Sequence, residues 1–597
     1  MYQSFNVTAR PEQGPPRLEA LRKELSSAAL DGFLIPRADA HQGEYVAARD
    51  ERLSWLTGFT GSAGFCAVLQ NIAGVFIDGR YRTQVKQQVA EQAYTPVPWP
   101  EVQLHDWLKE QLPRGGRIGF DAWLHAAGQI SSLSDRLEGT GILLEPCDNL
   151  VDRIWEDQPP APMKPVVAHP DAYAGESAAD KCTRLAKDLE NAGQTAALIT
   201  LPDSIMWLLN IRGSDIPRNP VAHGFAILHS DARVDLFMAE EKLAGLSDHL
   251  GASVTVRPPA AFLEAVAALN GNIAVDIDTV PQIVAETLGE RLVPGGDPCA
   301  LPKACKNAAE IEGSAAAHLR DGAAVVELLA WLDAQAPGTV TEIDVVKKLE
   351  ELRRRDERLR DISFDTIAGT GANGAVIHYR VTTETDTVLK EGDLLVLDSG
   401  GQYLDGTTDI TRTIAIGTPG SDERAAFTRV LQGMIAISRL RWPKGLSGRD
   451  IEAIGRMPLW MAGQDFNHGL GHGVGAYLSV HEGPQRLSRA SAVPLQAGMI
   501  LSNEPGYYRE GAFGIRIENL IVAEAAPRIA GGDADRDMLS WRTLTFAPID
   551  RRLIDADLLS GEERTWLNAY HAEVAQKIRP HVSPAAQAWL DDATAAI

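Results

Sequence analysis

The first ~155 residues alternate between apolar runs and amphipathic stretches, as in an α/β fold. The segment LEALRKELSSAAL has apolar residues at helical spacing, and the short apolar runs GFLIP and AVL are typical of buried strands. VFIDGRYRTQVKQQV has the pattern of a strand that leads into a helix. The proline-rich residues 157–167, DQPPAPMKPVV, then interrupt the pattern and predict a linker.

The segment after this linker repeats the order of the first. RLEALRKELSSAALDGFLIP, ERLSWLTGF and GSAGFCAVL have weaker counterparts in TRLAKDLENAGQTAALIT, DSIMWLLNI and HGFAILHS. Trp55 and Trp207 occupy equivalent places in the two series. The pattern therefore predicts two related α/β domains.

Beyond residue ~305 the pattern changes. The long helical stretch AAEIEGSAAAHLRDGAAVVELLAWLDAQ precedes segments rich in Gly, Thr and β-branched residues, and SGEERTWLNAYHAEVAQKI predicts a late helix. We predict a larger α+β domain here. The predicted domains are residues 1–157 and 158–307, followed by the larger domain from residue 308.

Composition narrows the possible partners. The 597 residues are 45% hydrophobic and carry a net charge of −23, which would repel phosphate backbones and anionic lipid. The five cysteines are scattered without a CxxC motif, which argues against a disulfide framework or a thiolate zinc site. With no signal-like N-terminus and no long apolar span, the sequence predicts a cytoplasmic protein without nucleic-acid or membrane partners.

Two aspartates stand at the ends of predicted strands in LLVLDSGGQYLDGTTDITRTIAIG. Asp398 ends the apolar run LLVL, and Asp409 opens the alternating run DITRTIAI after a predicted turn around QYLDGTT. On adjacent strands, these carboxylates would repel each other unless one took up a proton or a divalent cation lay between them. The alternative is that each aspartate only caps a turn.

A histidine cluster follows in NHGLGHGVGAYLSVHEGP, which contains three of the chain's 14 histidines. They are His468, His472 and His481. Glycines around them would allow close approach to a site. Any one of these histidines taken alone could instead be a hydrogen-bonded structural residue.

Two further glutamates complete the candidate set. Glu504 lies between the apolar run MIL and a Pro-Gly turn, and FGIRIENLIV predicts one strand with Arg516 and Glu518 on the same face. A solvated turn glutamate and a surface ion pair are the alternatives for these positions. Taken together, four carboxylates and one imidazole favour manganese or cobalt over thiolate-type zinc. Four negative charges match two divalent cations.

In this order and context, the five candidate ligands resemble those of the pita-bread metallopeptidases, which include methionine aminopeptidase, prolidase and aminopeptidase P. The phrases ISFDTIAGTGANGAVIHYR, DGTTDITRT, GHGVG, NEPGYY and FGIRIEN resemble the three-domain, cytosolic-type X-prolyl aminopeptidases most closely. DAHQGEYVAARDERLSWLTGFTGSAG, DGRY and WLLNIRGSDIPRNPV resemble the first two domains of that family. The resemblance covers essentially the whole chain. It implies that the larger domain is residues 308–536 and that residues 537–597 form a C-terminal extension packed on it.

The resemblance implies a role for each candidate residue. Asp409 and Glu518 would bridge two metal ions, Asp398 would complete one site, and His472 with Glu504 the other. A hydroxide between the ions would attack the bond before proline, and Glu504 would move its proton. His468, His378 and His481 match active-site histidines that are not ligands, the last two contacting substrate.

Two arginines are also candidates for contact with the substrate, one of them in the first domain. Arg80 in DGRY matches a substrate-contacting arginine, and Arg516 is the nearest candidate to bind a substrate carboxylate, although we expect it mainly to pair with the metal-site carboxylates. The implied partners are peptides with proline in second position and a second copy of the chain in a homodimer. Asp365 in SFDT departs from the family, whose members commonly have a small residue or proline there.

Other members of the group remain as alternatives. A prolidase-like dipeptidase would share the ligands but usually has one N-terminal domain, and a methionine aminopeptidase would have neither. A non-catalytic binding module on the same scaffold, or a creatinase-like enzyme, would not need the metal ligands, all of which are present here.

Overall fold

The computed structural model describes residues 1–597, which form two compact units. The N-terminal unit comprises Thr8–Asp171 and Glu176–Ala300, and the C-terminal unit comprises Met1–Val7, Ala172–Gly175 and Leu301–Ile597. The first seven residues therefore belong to the unit that is distant from them in sequence. None of the helices is both long and apolar enough to cross a bilayer.

The N-terminal unit contains two six-stranded mixed sheets with the same topology. In spatial order the strands of the first sheet are Thr95–Pro98, Ala73–Ile77, Phe65–Leu69, Gly32–Pro36, Gly116–Phe120 and Ile142–Pro146. Those of the second are Val254–Arg257, Val234–Phe237, Phe225–His229, Ala196–Ile199, Ile273–Asp276 and Leu292–Gly295. In each sheet, in this order, the second and third pairs of neighbouring strands are antiparallel and the other three pairs are parallel.

Helices connect these strands at equivalent places. The helices of the first half are Gly14–Ser27, Arg52–Thr57, Arg82–Gln88, Leu104–Gln111, Ala127–Leu137 and Leu150–Ile154. Those of the second half are Ala178–Asn191, Pro202–Leu208, Ser247–Leu250, Phe262–Ala268 and Gln282–Leu288. Trp55 and Trp207 each lie in the short helix after the first strand of their half, which confirms the predicted repeat. Val167–Ala168 pairs with Ile211–Arg212 at the end of the predicted linker.

Four sheets form the C-terminal unit. The largest has six strands in the order Arg441–Pro443, Met538–Thr543, Asn519–Ala525, Ile500–Asn503, Gly471–Gly473 and Glu482–Leu487. Two three-stranded sheets are Ile367–Thr370, Leu394–Ser399, Ile410–Ala415 and Leu359–Ile362, Gly401–Tyr403, Gly406–Thr407. The fourth is the pair Gly506–Arg509 and Phe513–Arg516.

Helices surround these sheets and share one continuous apolar core with them. They are Ala308–Asp333, Glu342–Arg353, Ser421–Ser438, Gly448–Trp460, Gly561–Ile578 and Pro584–Ala593; two short helices, Asp171–Ala174 and Ala300–Ala304, each contain residues of both units. The long helix predicted after residue ~305 and the late helix are both present. Leu567, Val574 and Ile578 of the late helix are buried in the core, so this part of the predicted extension packs on the rest of the unit. The domain limits themselves stay predictions.

Two local predictions need correction. The connection around QYLDGTT is not a simple turn, because Gly401–Tyr403 and Gly406–Thr407 form a small hairpin that pairs with Leu359–Ile362. FGIRIENLIV is not one strand, because the chain leaves one sheet after Arg516 and enters another at Asn519. Between them, the Glu518 amide donates a hydrogen bond to the Thr411 carbonyl, 3.1 Å away, instead of continuing the first ladder.

Candidate metal centre

A pair of buried strands positions the two aspartates. Leu394–Ser399 is antiparallel to Ile410–Ala415, and Asp398 lies opposite Thr411 in the register. Asp409 immediately precedes the second strand. Apolar neighbours in both strands hold this hairpin in the core, so that Asp398 and Asp409 are only 8% and 3% exposed. The sequence pattern thus places two carboxylates together where water cannot solvate them.

His472 and Glu504 come from neighbouring strands of the six-stranded sheet. His472 lies in Gly471–Gly473, and Glu504 directly follows Ile500–Asn503. Ser502 joins them, because its hydroxyl accepts a hydrogen bond from the His472 amide (2.9 Å) and donates one to Glu504 Oε1 (3.1 Å). The Nε2 atom of His472 lies 3.4 Å from Glu504 Oε1 and 3.5 Å from Asp409 Oδ2.

The break between the last two strands directs Glu518 and Arg516 towards the same place. The Thr411 hydroxyl donates to Glu518 Oε2 (2.8 Å), and Arg516 Nε donates to the same hydroxyl oxygen (3.3 Å). Arg516 Nη2 donates to Asp398 Oδ2 at 2.6 Å, in a pair that is almost completely buried. Arg516 and Glu518 thus both contact the Thr411 hydroxyl, although they do not share the continuous strand that the sequence predicts.

The charges in this cluster are poorly compensated. Burial, together with the charges of Asp398 and Glu504, raises the pKa of Asp409 well above its usual value. Burial and the charges of Asp409 and Glu504 do the same to the pKa of Glu518. Two carboxylate oxygens, Asp398 Oδ1 and Glu518 Oε1, are buried without a hydrogen-bond partner. Unpaired buried carboxylate oxygens are costly, so Arg516 compensates only part of the negative charge in the cluster.

The donor set fits divalent cations. Asp409, His472 and Glu518 offer ligand atoms within 4.8 Å of one another. The Nδ1–H group of His472 can donate to the Gly473 carbonyl (3.0 Å), which leaves the Nε2 lone pair facing the carboxylates. The two unpaired oxygens could coordinate cations at this position, and the positive charge would offset the repulsion that raises the carboxyl pKa values.

The other predicted histidines surround this cluster. The ring of His481 lies 4.3 Å from the ring of His472 in an edge-to-face arrangement. His468 Nε2 accepts a hydrogen bond from the Tyr508 hydroxyl (2.9 Å), and that hydroxyl accepts one from Arg516 Nη1 (2.5 Å). His378 is half-buried, and Arg516 Nη1 also donates to the preceding carbonyl, that of Ile377 (3.3 Å).

Arg80 lies in the N-terminal unit, where it contacts residues that are close to it in sequence. Its guanidinium pairs with Asp78, with Nη2 2.7 Å from Oδ2, and lies over the Tyr81 ring. Its predicted contact with substrate stays a prediction.

Three residues of the site were not singled out by the sequence patterns. Thr411 and Ser502 orient Glu518 and Glu504, and Tyr508 joins His468 to Arg516. Thr411 had a usable signal, because strand alternation places it on the same side as Asp409. Tyr508 and Ser502 act through contacts between segments that no local pattern relates.

A buried set of carboxylates around one imidazole, built on these strands, has the ligand types of a divalent-metal centre. Residues 312–525 match the model of metallopeptidase family M24, and residues 537–597 match the C-terminal region of that peptidase family. Residues 17–154 and 157–310 each match the creatinase/prolidase N-terminal domain. The chain belongs to family M24, and the predicted fold, two related N-terminal domains followed by a pita-bread domain, is confirmed.

Within this family the chain is similar over almost its full length to Xaa-Pro aminopeptidases P. It is 39% identical to the "Probable Xaa-Pro aminopeptidase P" of Coccidioides posadasii over 96% of this chain and 92% of the relative. The identity is also 39% to the protein of the same name from Tuber melanosporum, over 94% of this chain and 95% of the relative.

Solved structures agree with this assignment. The X-prolyl aminopeptidase of Caenorhabditis elegans, described as a cytosolic enzyme with a di-nuclear active site, superposes with a TM-score of 0.93 at 33% identity. The match covers 98% of this chain and 99% of that one. A dipeptidase from Mycobacterium ulcerans matches only 64% of this chain, with a TM-score of 0.51 at 27% identity.

Proposed function

We propose that this protein is a metal-dependent aminopeptidase that hydrolyses the bond between an N-terminal residue and a proline in second position. The observation that carries the proposal is the buried cluster of four carboxylates with His472, which retains unpaired oxygens at Asp398 and Glu518. The full-length similarity to Xaa-Pro aminopeptidases P supports the substrate class.

We assign five ligands to two divalent cations, most suitably manganese because the set is rich in oxygen. They are Asp398, Asp409, His472, Glu504 and Glu518. When bound, such cations would supply an activated water at neutral pH and polarise the scissile carbonyl. Arg516 has a supporting role in this assignment, since it neutralises part of the charge on Asp398.

The protein's own groups would then handle the proton and the substrate. Glu504, held at Oε1 by the Ser502 hydroxyl, would take the proton of the attacking water and pass it to the proline nitrogen that leaves. His378 and His481 would donate hydrogen bonds to the substrate carbonyl. The free amine of the substrate would lie among the carboxylates, which explains a requirement for an unblocked N-terminus.

The position of Arg516 argues against a dipeptidase. A dipeptidase must bind the free carboxylate of the proline, and Arg516 was the nearest candidate in the sequence. Its guanidinium is instead buried and donates to Asp398, Thr411 and Tyr508. A cation committed to these partners is not available for a substrate carboxylate. We therefore propose that the chain accepts peptides longer than two residues.

The family resemblance also suggests an oligomeric state, a cellular location and a role for Arg80. We propose a homodimer in the cytoplasm, supported by the family resemblance and by the similarity to the nematode X-prolyl aminopeptidase, which is described as cytosolic. Arg80 would contact the substrate from the first N-terminal domain. Size measurement in solution and kinetics of Arg80→Ala test these two proposals separately.

Substrate length is the decisive experiment. Peptides X-Pro-Y and C-terminally amidated X-Pro-Y should be cleaved at comparable rates, with X-Pro alone no better. Replacement of the proline by alanine, or acetylation of the N-terminus, should remove most of the rate. Efficient hydrolysis of X-Pro together with inert amidated tripeptides would assign the chain to the dipeptidases instead.

A further inference from the structure

The first seven residues pack within the C-terminal unit. We call residues 2–7 the N-terminal clasp. The amides of Tyr2 and Gln3 donate to the buried carboxylate of Glu350 (2.7 and 3.4 Å). The Gln3 side chain bonds the Thr366 backbone twice, because its Nε2 donates to the carbonyl (3.3 Å) and its Oε1 accepts from the amide (2.8 Å). Gln3 is 4% exposed, so water cannot replace these bonds.

Arg380 attaches the same segment to a second place. Its Nη2 donates to the Ser4 carbonyl (2.7 Å) and its Nη1 to the Asn6 carbonyl (3.0 Å), while its Nε donates to Asp365 Oδ2 (2.8 Å). The Thr383 amide donates to the Phe5 carbonyl (2.9 Å). Asp365, which departs from the family pattern, thus fixes the guanidinium that holds the clasp.

The two attachment points border the candidate site. Thr366 directly precedes Ile367, whose strand partner is Asp398. Arg380 lies two residues beyond His378, in the connection between Ile367–Thr370 and Leu394–Ser399, which has only one turn of 3-10 helix, Gly371–Ala375. The clasp therefore joins the strand beside a proposed ligand to the loop that carries a proposed substrate-binding histidine.

A second group of bonds holds the same loop independently of the clasp. The buried Glu342 carboxylate accepts from the Tyr379 hydroxyl (2.9 Å), the Asn373 side-chain amide (3.0 Å) and the backbone amides of Thr370 (2.7 Å) and Thr387 (3.1 Å). The loop consequently keeps one attachment when the clasp is removed, so a change in the clasp should shift His378 without unfolding the loop.

We propose that the N-terminal clasp is a positioning element that holds His378 at the distance needed for catalysis. The inference rests on the proposed role of His378. Groups that polarise a carbonyl lose effect steeply when displaced, and a misplacement of ~1 Å can cost ~10²-fold in rate. Gln3, Arg380 and Asp365 act through His378 and do not themselves contact the reacting atoms.

The test uses the full-length, metal-loaded enzyme with three changes: Gln3→Ala, Arg380→Gln, and deletion of residues 2–7. Each should lower kcat for an X-Pro-Y peptide by roughly tenfold or more, with a smaller change in KM and an unchanged metal content. Arg579→Gln is the matched control, because Arg579 forms an exposed pair with Asp591 in the same unit and should leave kcat unchanged. If the deletion does not fold, the two point variants decide.

A double-mutant cycle with His378→Ala separates positioning from stability. If the clasp acts through His378, Arg380→Gln should have almost no further effect on kcat in the His378→Ala background, whereas independent effects would multiply. Multiplying effects, or unchanged kcat in both point variants, would overturn the clasp proposal. If His378→Ala alone retains the full rate, the role of His378 fails instead, and the peptide panel still tests the proposed function by itself.

Discussion

Two clusters in this protein meet the geometric requirement for a metal site, one in each unit. They are Asp409, His472 and Glu518 in the C-terminal unit, the Asp409 cluster, and Asp39, Asp50 and His223 in the N-terminal unit, the Asp39 cluster. Each combines two carboxylates with one imidazole. Their electrostatic surroundings, however, differ.

The Asp39 cluster supplies its own compensation. His223 Nε2 lies 3.1 Å from Asp39 Oδ2, the His41 amide donates to Asp39 Oδ1 (2.8 Å), and Arg52 pairs with Asp50 (2.8 Å). Burial acts to raise the pKa of Asp39, but the neighbouring His223 and His41 more than offset it and hold that pKa below its usual value. No carboxylate oxygen of this cluster is buried without a partner.

The Asp409 cluster lacks such compensation. Its carboxylates face Asp398 and Glu504, their pKa values are raised, and unpaired oxygens remain. The comparison teaches that proximity of ligand atoms does not define a metal site. The deciding property is whether the protein itself already neutralises the charge.

Metal removal should have the largest effect of all. We expect chelator-treated enzyme to lose essentially all activity on X-Pro-Y peptides and to recover it best with manganese. Peptide hydrolysis is measured after each metal is added back, with metal analysis of the chelated protein. Full activity in verified metal-free protein would contradict the proposed centre.

Loss of a bridging carboxylate should be nearly as severe. Glu518→Gln and Asp409→Asn should weaken binding of both cations and lower kcat/KM by ~10³-fold or more, because the activated water needs them. The matched change Asp50→Asn in the other cluster should leave kcat/KM and metal content unaltered. Mass spectrometry or atomic absorption measures the metal content of each variant. If the Asp50→Asn enzyme contained no metal, the Asp39 cluster and not the Asp409 cluster would be the metal site.

The stoichiometry of metal binding tests the comparison directly. We expect two manganese ions per chain by calorimetric titration, and the same number for Asp39→Asn. That substitution should instead lower the free energy of unfolding by about 1–3 kcal/mol, because it removes a buried charged acceptor. A third ion that disappears in Asp39→Asn would show that the Asp39 cluster also binds metal.

The pH dependence of stability should differ in sign between Asp39 and the pair Asp409 and Glu518, whereas Asp50, whose pKa is raised by burial, should have the same sign as that pair. The pKa values of Asp409 and Glu518 are raised in the folded state. In the presence of a chelator, the stability that these two carboxyl groups contribute is therefore present at a pH below their pKa in the unfolded chain. It is lost as the pH rises through their pKa in the folded protein. Asp39 has a lowered pKa, so its contribution is present above the unfolded pKa and is lost as pH falls through the folded one.

Thermal unfolding of the metal-free protein measures this effect. Tm should fall as the pH rises above the usual carboxyl pKa, and Glu518→Gln should reduce the fall while Asp39→Asn should not. Manganese should reduce the fall as well, because cations replace the protons. An equal slope in wild type and Glu518→Gln would contradict the repulsion that we infer.

Much of the fold could be predicted because its signals are local. The two N-terminal repeats, the long helix Ala308–Asp333 and the strands around Asp398 follow from the spacing of apolar residues. The candidate ligands could be selected because the aspartates and Glu504 stand beside apolar runs, His472 belongs to a histidine cluster among glycines, Glu518 lies in an apolar segment, and their order resembles that of a known family. Local patterns failed where a partner segment decided the path of the chain, as at Glu518, whose amide bonds to Thr411.

The sequence by itself determined the order of elements, the duplicated N-terminal half and the residue types available for a metal centre. These follow from the periodicity of burial, which each segment carries within itself. Only the tertiary structure decided that Arg516 is committed to Asp398, that Tyr508 connects it to His468, and that the first residues lie against the His378 loop. It also separated the two acidic clusters, because charge compensation depends on side chains that meet from distant segments of the chain.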